Sequence, residues 1–205
     1  MFNVCHHCGL YLADKIIDPA GPFAVCPECG HKHLFKRLPL LMVSGASGAG
    51  KSTVCHQLLG QLDQVVLLDS DILWRPEFNL PENNYRNFFE TWLRMAKNIA
   101  QAGRPVVLFG AGTGVPENIE PCVERRYFSD IKYLALVCDD EPLANRLKAR
   151  PAWRGSGEQS YIEDHLNFNR WFKTQSASIT LLDTTHTTIA QTTAQVAEWI
   201  ADQLV

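Results

Sequence analysis

From Leu38 onward the chain alternates short apolar runs with longer amphipathic stretches. The runs are Leu38 to Ser44, Val65 to Asp69, Pro105 to Gly110, Ile131 to Val137 and Ile179 to Asp183. They are rich in Val, Ile and Leu and nearly continuous, as expected for strands covered on both faces. The stretches between them predict helices over Lys51 to Leu62, Tyr85 to Ala102, Pro116 to Phe128, Glu141 to Ala149, Glu158 to Ser176 and Thr188 to Leu204. Gly103-Arg104-Pro105 and Pro151 mark stops. Strands alternating with helices predict a parallel sheet with right-handed crossovers.

Residues 1 to 37 have another texture, rich in Cys, His, Gly and Pro. The boundary predicts two parts, a small module over 1–37 and an α/β domain over 38–205. A length of 205 residues suits one such domain with an appendage, and a 46% hydrophobic fraction suits a real core. A net charge of −3 argues against a broad nucleic-acid footprint. The apolar runs are strand-sized, far from the ~20 residues that span a bilayer. The opening Met1-Phe2-Asn3-Val4-Cys5 has neither a basic start nor an apolar run of signal length, so the expected location is the cytoplasm.

The strongest motif is Gly45-Ala46-Ser47-Gly48-Ala49-Gly50-Lys51-Ser52-Thr53, a Gly-x-x-x-x-Gly-Lys-Ser phosphate loop. It follows an apolar run and opens a helical stretch, the context such a loop needs. Its backbone N–H groups and the following helix N-terminus favour a phosphate. Lys51 is expected to reach the β and γ phosphates of ATP, and the Ser52 hydroxyl to ligate Mg²⁺.

Asp69 and Asp71 close the second run, where ligands gather at the carboxyl ends of parallel strands. Two residues apart on extended chain, they point the same way. One is expected to hold Mg²⁺ and one to take the proton of an acceptor hydroxyl; the nearer, Asp69, suits the metal and Asp71 the acceptor. Either is also a good helix cap. The third run ends in Gly110-Ala111-Gly112-Thr113-Gly114, without the acidic residue many phosphate-loop proteins carry there. Those glycines allow a substrate to approach the backbone, or make a plain turn. Arg146 and Arg150 are four apart on a helix, and Pro151 to Gly157, with Arg154, reads as a mobile closing loop. Arg150 and Arg154 are the cations expected to neutralise a transferring phosphoryl group, with Arg170 a weaker candidate.

These features together, with Leu182-Asp183-Thr184-Thr185, resemble the nucleoside- and nucleotide-kinase-like P-loop enzymes, a group that includes adenylate, shikimate and gluconate kinases. The resemblance covers residues 38–205. It implies a three-layer α/β fold with a five-stranded parallel sheet in the order 2-3-1-4-5. It implies that Arg146 packs near adenine, that Arg150 contacts phosphates, and that Asp183, Thr184 and Thr185 border the base. It also implies a small-molecule phosphate acceptor, and Gly110 to Gly112 is similar to the glycine turn with which shikimate kinases hold theirs.

Seven cysteines without a signal segment suit a reducing compartment. Cys5-x-x-Cys8 and Cys26-x-x-Cys29, seventeen residues apart, fit a closed four-thiolate zinc site, similar to a zinc ribbon. His6, His7, His31 and His33 are read as bystanders. His31 to Arg37 is mildly basic with one aromatic, a weak nucleic-acid signal. Cys55, Cys122 and Cys138 read as buried apolar residues. Tyr85, Phe88, Phe89 and Trp92 read mostly as core, with Trp74, Arg75 and Arg86 better placed for a substrate pocket; His165 and His186 carry no catalytic constellation. Two functions fit: ATP-dependent transfer to a small molecule, or an ATP-switched binding protein whose zinc module contacts RNA or a partner. The closing arginines favour transfer, since a switch needs no cation beyond the loop lysine.

Overall fold

The computed structural model describes residues 3–204; Met1 and Phe2, part of the signal-segment expectation, lie outside the described residues. Three short antiparallel strands come first: β1 (Ile16–Asp18), β2 (Phe23–Val25) and β3 (Lys32–Leu34). The second sheet is parallel and has five strands: β4 (Leu40–Gly45), β5 (Val66–Asp69), β6 (Val106–Phe109), β7 (Ile131–Val137) and β8 (Thr180–Asp183). Its order is β5-β6-β4-β7-β8, which is the 2-3-1-4-5 arrangement.

Helices cover both faces, because successive residues of a central strand face opposite ways. Leu40 and Met42 of β4 pack with Phe88, Phe89 and Trp92 of α2 (Arg86–Ala100) and Phe172 of α5 (Gln159–Lys173). Leu41 and Val43 pack with Val54 and Leu58 of α1 (Lys51–Leu58) and Val196 and Ile200 of α6 (Ile189–Asp202). The short α3 (Pro116–Ile119) and α4 (Asp140–Lys148) complete the set. The expectation of strands covered on both faces holds for β4 and β6, which are buried throughout, and for β7 except Lys132. The outer strands β5 and β8 are only half-buried, because each has a neighbour on one side.

Two helices are shorter than periodicity predicts. The Lys51 to Leu62 stretch stops at Leu58, where Leu59 turns extended (ψ 127°) ahead of Gly60. Pro116 to Phe128 breaks after Ile119 into a separate 3-10 turn over Val123–Tyr127. Pro121 lacks an N–H and its ring clashes with the preceding turn, so the helix cannot cross it. No helix among the described residues is long and apolar enough to cross a membrane.

Candidate active site

The phosphate loop is strung between β4 and α1. Gly45 at the strand end has a φ of 140°, and a Cβ there would stand 2.4 Å from the Leu136 carbonyl oxygen, so only glycine fits. Gly50 is the N-cap of α1 and offers no side chain, so the first-turn N–H groups are left for a ligand. Lys51 Nζ folds back onto the carbonyls of Gly45 and Ala46, both at 2.9 Å. Its burial pulls its pKa down to about 8; Arg150 adds to this, while Asp71 and Asp69 oppose it.

Ser47 is the most heavily engaged loop residue. Its hydroxyl accepts from Arg150 Nη1 (2.8 Å) and from the Tyr161 hydroxyl (3.2 Å), and its N–H donates to His165 Nδ1 (3.3 Å). Tyr161 and His165, one turn apart on α5, meet at a tilt of 60° with 4.3 Å between centroids. Sequence reasoning missed both. His165 is 118 residues from Ser47, and the signal that could have found the pair was an aromatic and an imidazole on one helix face.

Asp69 caps the turn Ser70–Leu73 by accepting from the Asp71 N–H at 2.9 Å, so its capping role is real. Asp71 faces the site. Burial raises its pKa, with the Asp69 charge adding and Lys51, Arg154 and Arg150 opposing.

Two cavities meet at the loop and share Gly48, Gly50, Thr53 and Arg150. The smaller, about 340 Å³, is walled by Arg146, Thr184, Thr187 and Ile189. Arg146 is fixed there by donating to the Thr184 carbonyl (2.8 Å) and hydroxyl (3.3 Å). Asp183 and Thr185 wall neither cavity. Asp183 accepts from the Thr185 N–H (2.8 Å) and Thr185 Oγ1 from the Asp139 N–H (2.9 Å), so they shape the turn that presents Thr184.

The larger cavity, about 1120 Å³, holds Lys51, Ser52, Asp69, Asp71 and Arg154. Trp74, Tyr85, Phe88 and Phe89 wall it, so the aromatic segment serves pocket and core together. Arg75 lines neither cavity, and Arg86 reaches Cys122 Sγ at 3.6 Å instead. Arg170 pairs with Asp140 (2.5 Å), outside both. The closing segment carries a 3-10 turn over Ala152–Arg154, and beyond it the buried Ser156 hydroxyl donates to the Leu147 carbonyl (3.2 Å). Of the glycines after β6, Gly110 and Gly112 line the larger cavity, and the segment turns over Gly112–Gly114. A Cβ on Gly110 would meet Ser70 Oγ at 2.1 Å, and one on Gly114 would meet Ser44 Cβ at 2.3 Å, so they are needed for chain-to-chain packing.

The four paired cysteines also come together. Cys5 Sγ lies 3.6 Å from Cys29 Sγ and Cys8 Sγ 3.8 Å from Cys26 Sγ, and all four sulfurs fall within 4.8 Å of one another. A tetrahedron with Zn–S bonds of about 2.3 Å has edges of about 3.8 Å, so the donor set fits zinc. His6, His31 and His33 stack edge to face beside them, and His33 is buried.

A family model described as AAA domain matches residues 40–175. No curated protein matches the chain. Similar solved structures include a sugar kinase from Janibacter sp. HTCC2649, at 16% identity over 81% of this chain and 95% of that one, with a TM-score of 0.58. The tunicamycin resistance protein of Deinococcus radiodurans is 18% identical over 80% of this chain and 96% of its own, at 0.58. A shikimate kinase from Acinetobacter baumannii is 16% identical over 80% and 94%, at 0.52. At such identities the likeness is one of fold.

Proposed function

This chain belongs to the AAA domain family, and from that premise we propose that it is an ATP-dependent phosphotransferase acting on a small molecule. The observation that carries this is the pair of cavities joined at one loop, with Arg150 at the join and Lys51 and Asp71 lining the larger one. The smaller cavity takes the adenine end of ATP, with Arg146 and Thr184 against the base. The loop residues Gly45, Ala46, Ser47, Gly48, Ala49, Gly50 and Thr53 cradle the phosphates. ATP supplies the γ-phosphoryl group, and Ser52 and Asp69 would hold the Mg²⁺ that spreads charge on such a group. Lys51, Arg150 and Arg154 neutralise the transferring group. Asp71 accepts the proton of the acceptor hydroxyl, whose oxygen bonds to the γ-phosphorus; the bridging bond breaks with its electron pair left on ADP. Residues 1–37 act as a separate zinc module held by Cys5, Cys8, Cys26 and Cys29, in a protein of the reducing cytoplasm.

Lys51→Ala tests the assignment. It removes a charge used in the transition state, so turnover measured by ADP release should fall on the order of 10²-fold, or ~2.7 kcal/mol. Undiminished turnover in that variant overturns it.

A further inference from the structure

We propose that the phosphate acceptor is an uncharged, flat, hydroxyl-bearing molecule that lies against Trp74 and Tyr85. This rests on the reading of the larger cavity as the acceptor side of a phosphotransferase. Three observations point to it.

The first is the wall. Trp74 packs edge to face on Phe88 at 5.3 Å and tilts against Tyr85 at 5.9 Å. Phe88 is buried behind them, while Trp74 keeps 47% of its surface exposed. Phe168 of α5 lines the same space, so aromatic surface comes from two separate elements. Such surface rewards a planar or apolar ligand, which can stack on it.

The second is where the charges stand. Among the described residues, the lysine and arginines lining the cavity are Lys51, Arg150 and Arg154. Lys51 is held on loop carbonyls and Arg150 on Ser47. Arg154 stands over the Trp153 ring at 5.2 Å and within electrostatic reach of Asp71. Lys51 and Arg150 therefore serve the phosphate end, and Arg154 is taken up by Trp153 and Asp71. The cations nearest the aromatic wall in sequence are turned elsewhere: Arg86 to Cys122, with Arg75 outside the lining. A carboxylate or phosphate on the acceptor would be desolvated there without a partner, beside Asp69 and Asp71.

The third is the balance at the carboxylates. Asp69 and Asp71 are outnumbered by Lys51, Arg150 and Arg154, which all face Asp71, so no surplus negative charge awaits a cationic acceptor. Among the polar groups lining the cavity near the wall is the Asn118 amide, which donates to the Gly112 carbonyl at 3.3 Å. Its oxygen suits a neutral hydroxyl or ring N–H.

The test is a panel of acceptors at equal concentration, read by ADP release: uridine and adenosine as uncharged planar alcohols, gluconate and shikimate as anions, and glucosamine as a cation. Uridine or adenosine should give a kcat/KM at least about 10-fold above the charged acceptors. Trp74→Ala should raise the KM for that acceptor about 10-fold or more with the KM for ATP within about twofold. Preference for an anion or for glucosamine overturns the proposal and leaves the phosphotransferase reading standing. So does an unchanged acceptor KM in Trp74→Ala. ADP release with no acceptor, together with ATP turnover indifferent to Asp71→Asn, overturns both.

Discussion

Lys51 shows how burial sets the working range of a charge. An ordinary lysine keeps its proton to well above pH 10, but here loss of water on folding brings the pKa to about 8. The kcat/KM for ATP reports groups of the free enzyme. Below about pH 8 the ammonium is charged and attracts the incoming phosphates; above it the neutral amine does not. Asp71, which must be ionised to act as base, sets an acid limb, and on the alkaline side the expected profile holds to about pH 8 and then falls, approaching tenfold per pH unit. His165, whose pKa burial and Lys51 lower, is already neutral in that range and adds no limb. Lys51→Arg carries a guanidinium that keeps its charge past pH 12, so its alkaline limb should vanish even if its plateau is lower. A wild-type profile flat to pH 9.5, or the same fall in Lys51→Arg, contradicts the assignment. Lys51 was legible in the sequence because glycine spacing, helix start and charge lie within nine residues. The partners of Ser47 were not, since α5 is brought to the loop only by folding.

Among the elements, α2 has two duties that no local pattern announces. Phe88 and Phe89, in its first turn, meet the core and the acceptor cavity. Three turns on, Lys97 is buried, with Nζ 2.5 Å from Glu124 and 2.7 Å from Asn3 Oδ1. The aromatic face was readable from helical spacing. The lysine was not, because a charge at helical spacing usually marks a solvated face, and its partners lie 27 and 94 residues away. Glu124 is wholly buried and also takes Arg94 Nε at 2.9 Å. Glu124→Ala should leave Lys97 buried beside no carboxylate and cost ~3–5 kcal/mol. For a chain of this size that lowers Tm by roughly 6–20 °C in a calorimetric scan. Lys97→Met with Glu124→Leu removes both charges and should recover more than half of the loss. A Glu124→Ala melting point within 2 °C of the parent would mean the pair is idle.

At the scale of the molecule, the order of the parallel sheet followed from the strand–helix alternation joined to the family resemblance, because each βαβ crossover is local and handed. The seating of the N-terminal module did not, because it is made of contacts with no sequence neighbour. The Lys15 N–H donates to the Tyr127 hydroxyl (3.3 Å), the Tyr127 hydroxyl donates to the Ala13 carbonyl, and Arg126 pairs with Asp14. Gln101, just past α2, grips the Lys36 backbone twice, at 2.8 and 3.1 Å. The module thus bears on the far end of the helix whose near end walls the larger cavity. The smaller cavity draws its walls from the phosphate loop, α1, α4, the turn after β8 and α6, none of which enters those contacts. Loss of zinc should therefore act unevenly. Protein purified without chelator should carry one zinc per chain by elemental analysis, and Cys26→Ser should carry none, since structural zinc supplies on the order of 10 kcal/mol to such a module. With the module unfolded, α2 loses its brace, so the acceptor KM should rise several-fold while the KM for ATP stays within about twofold. Chelation of the parent should reproduce the split, and added zinc should reverse it. Equal shifts in both constants would mean that the module supports the whole domain and not α2. Zinc-free protein with normal kinetics would remove the metal from the structure altogether.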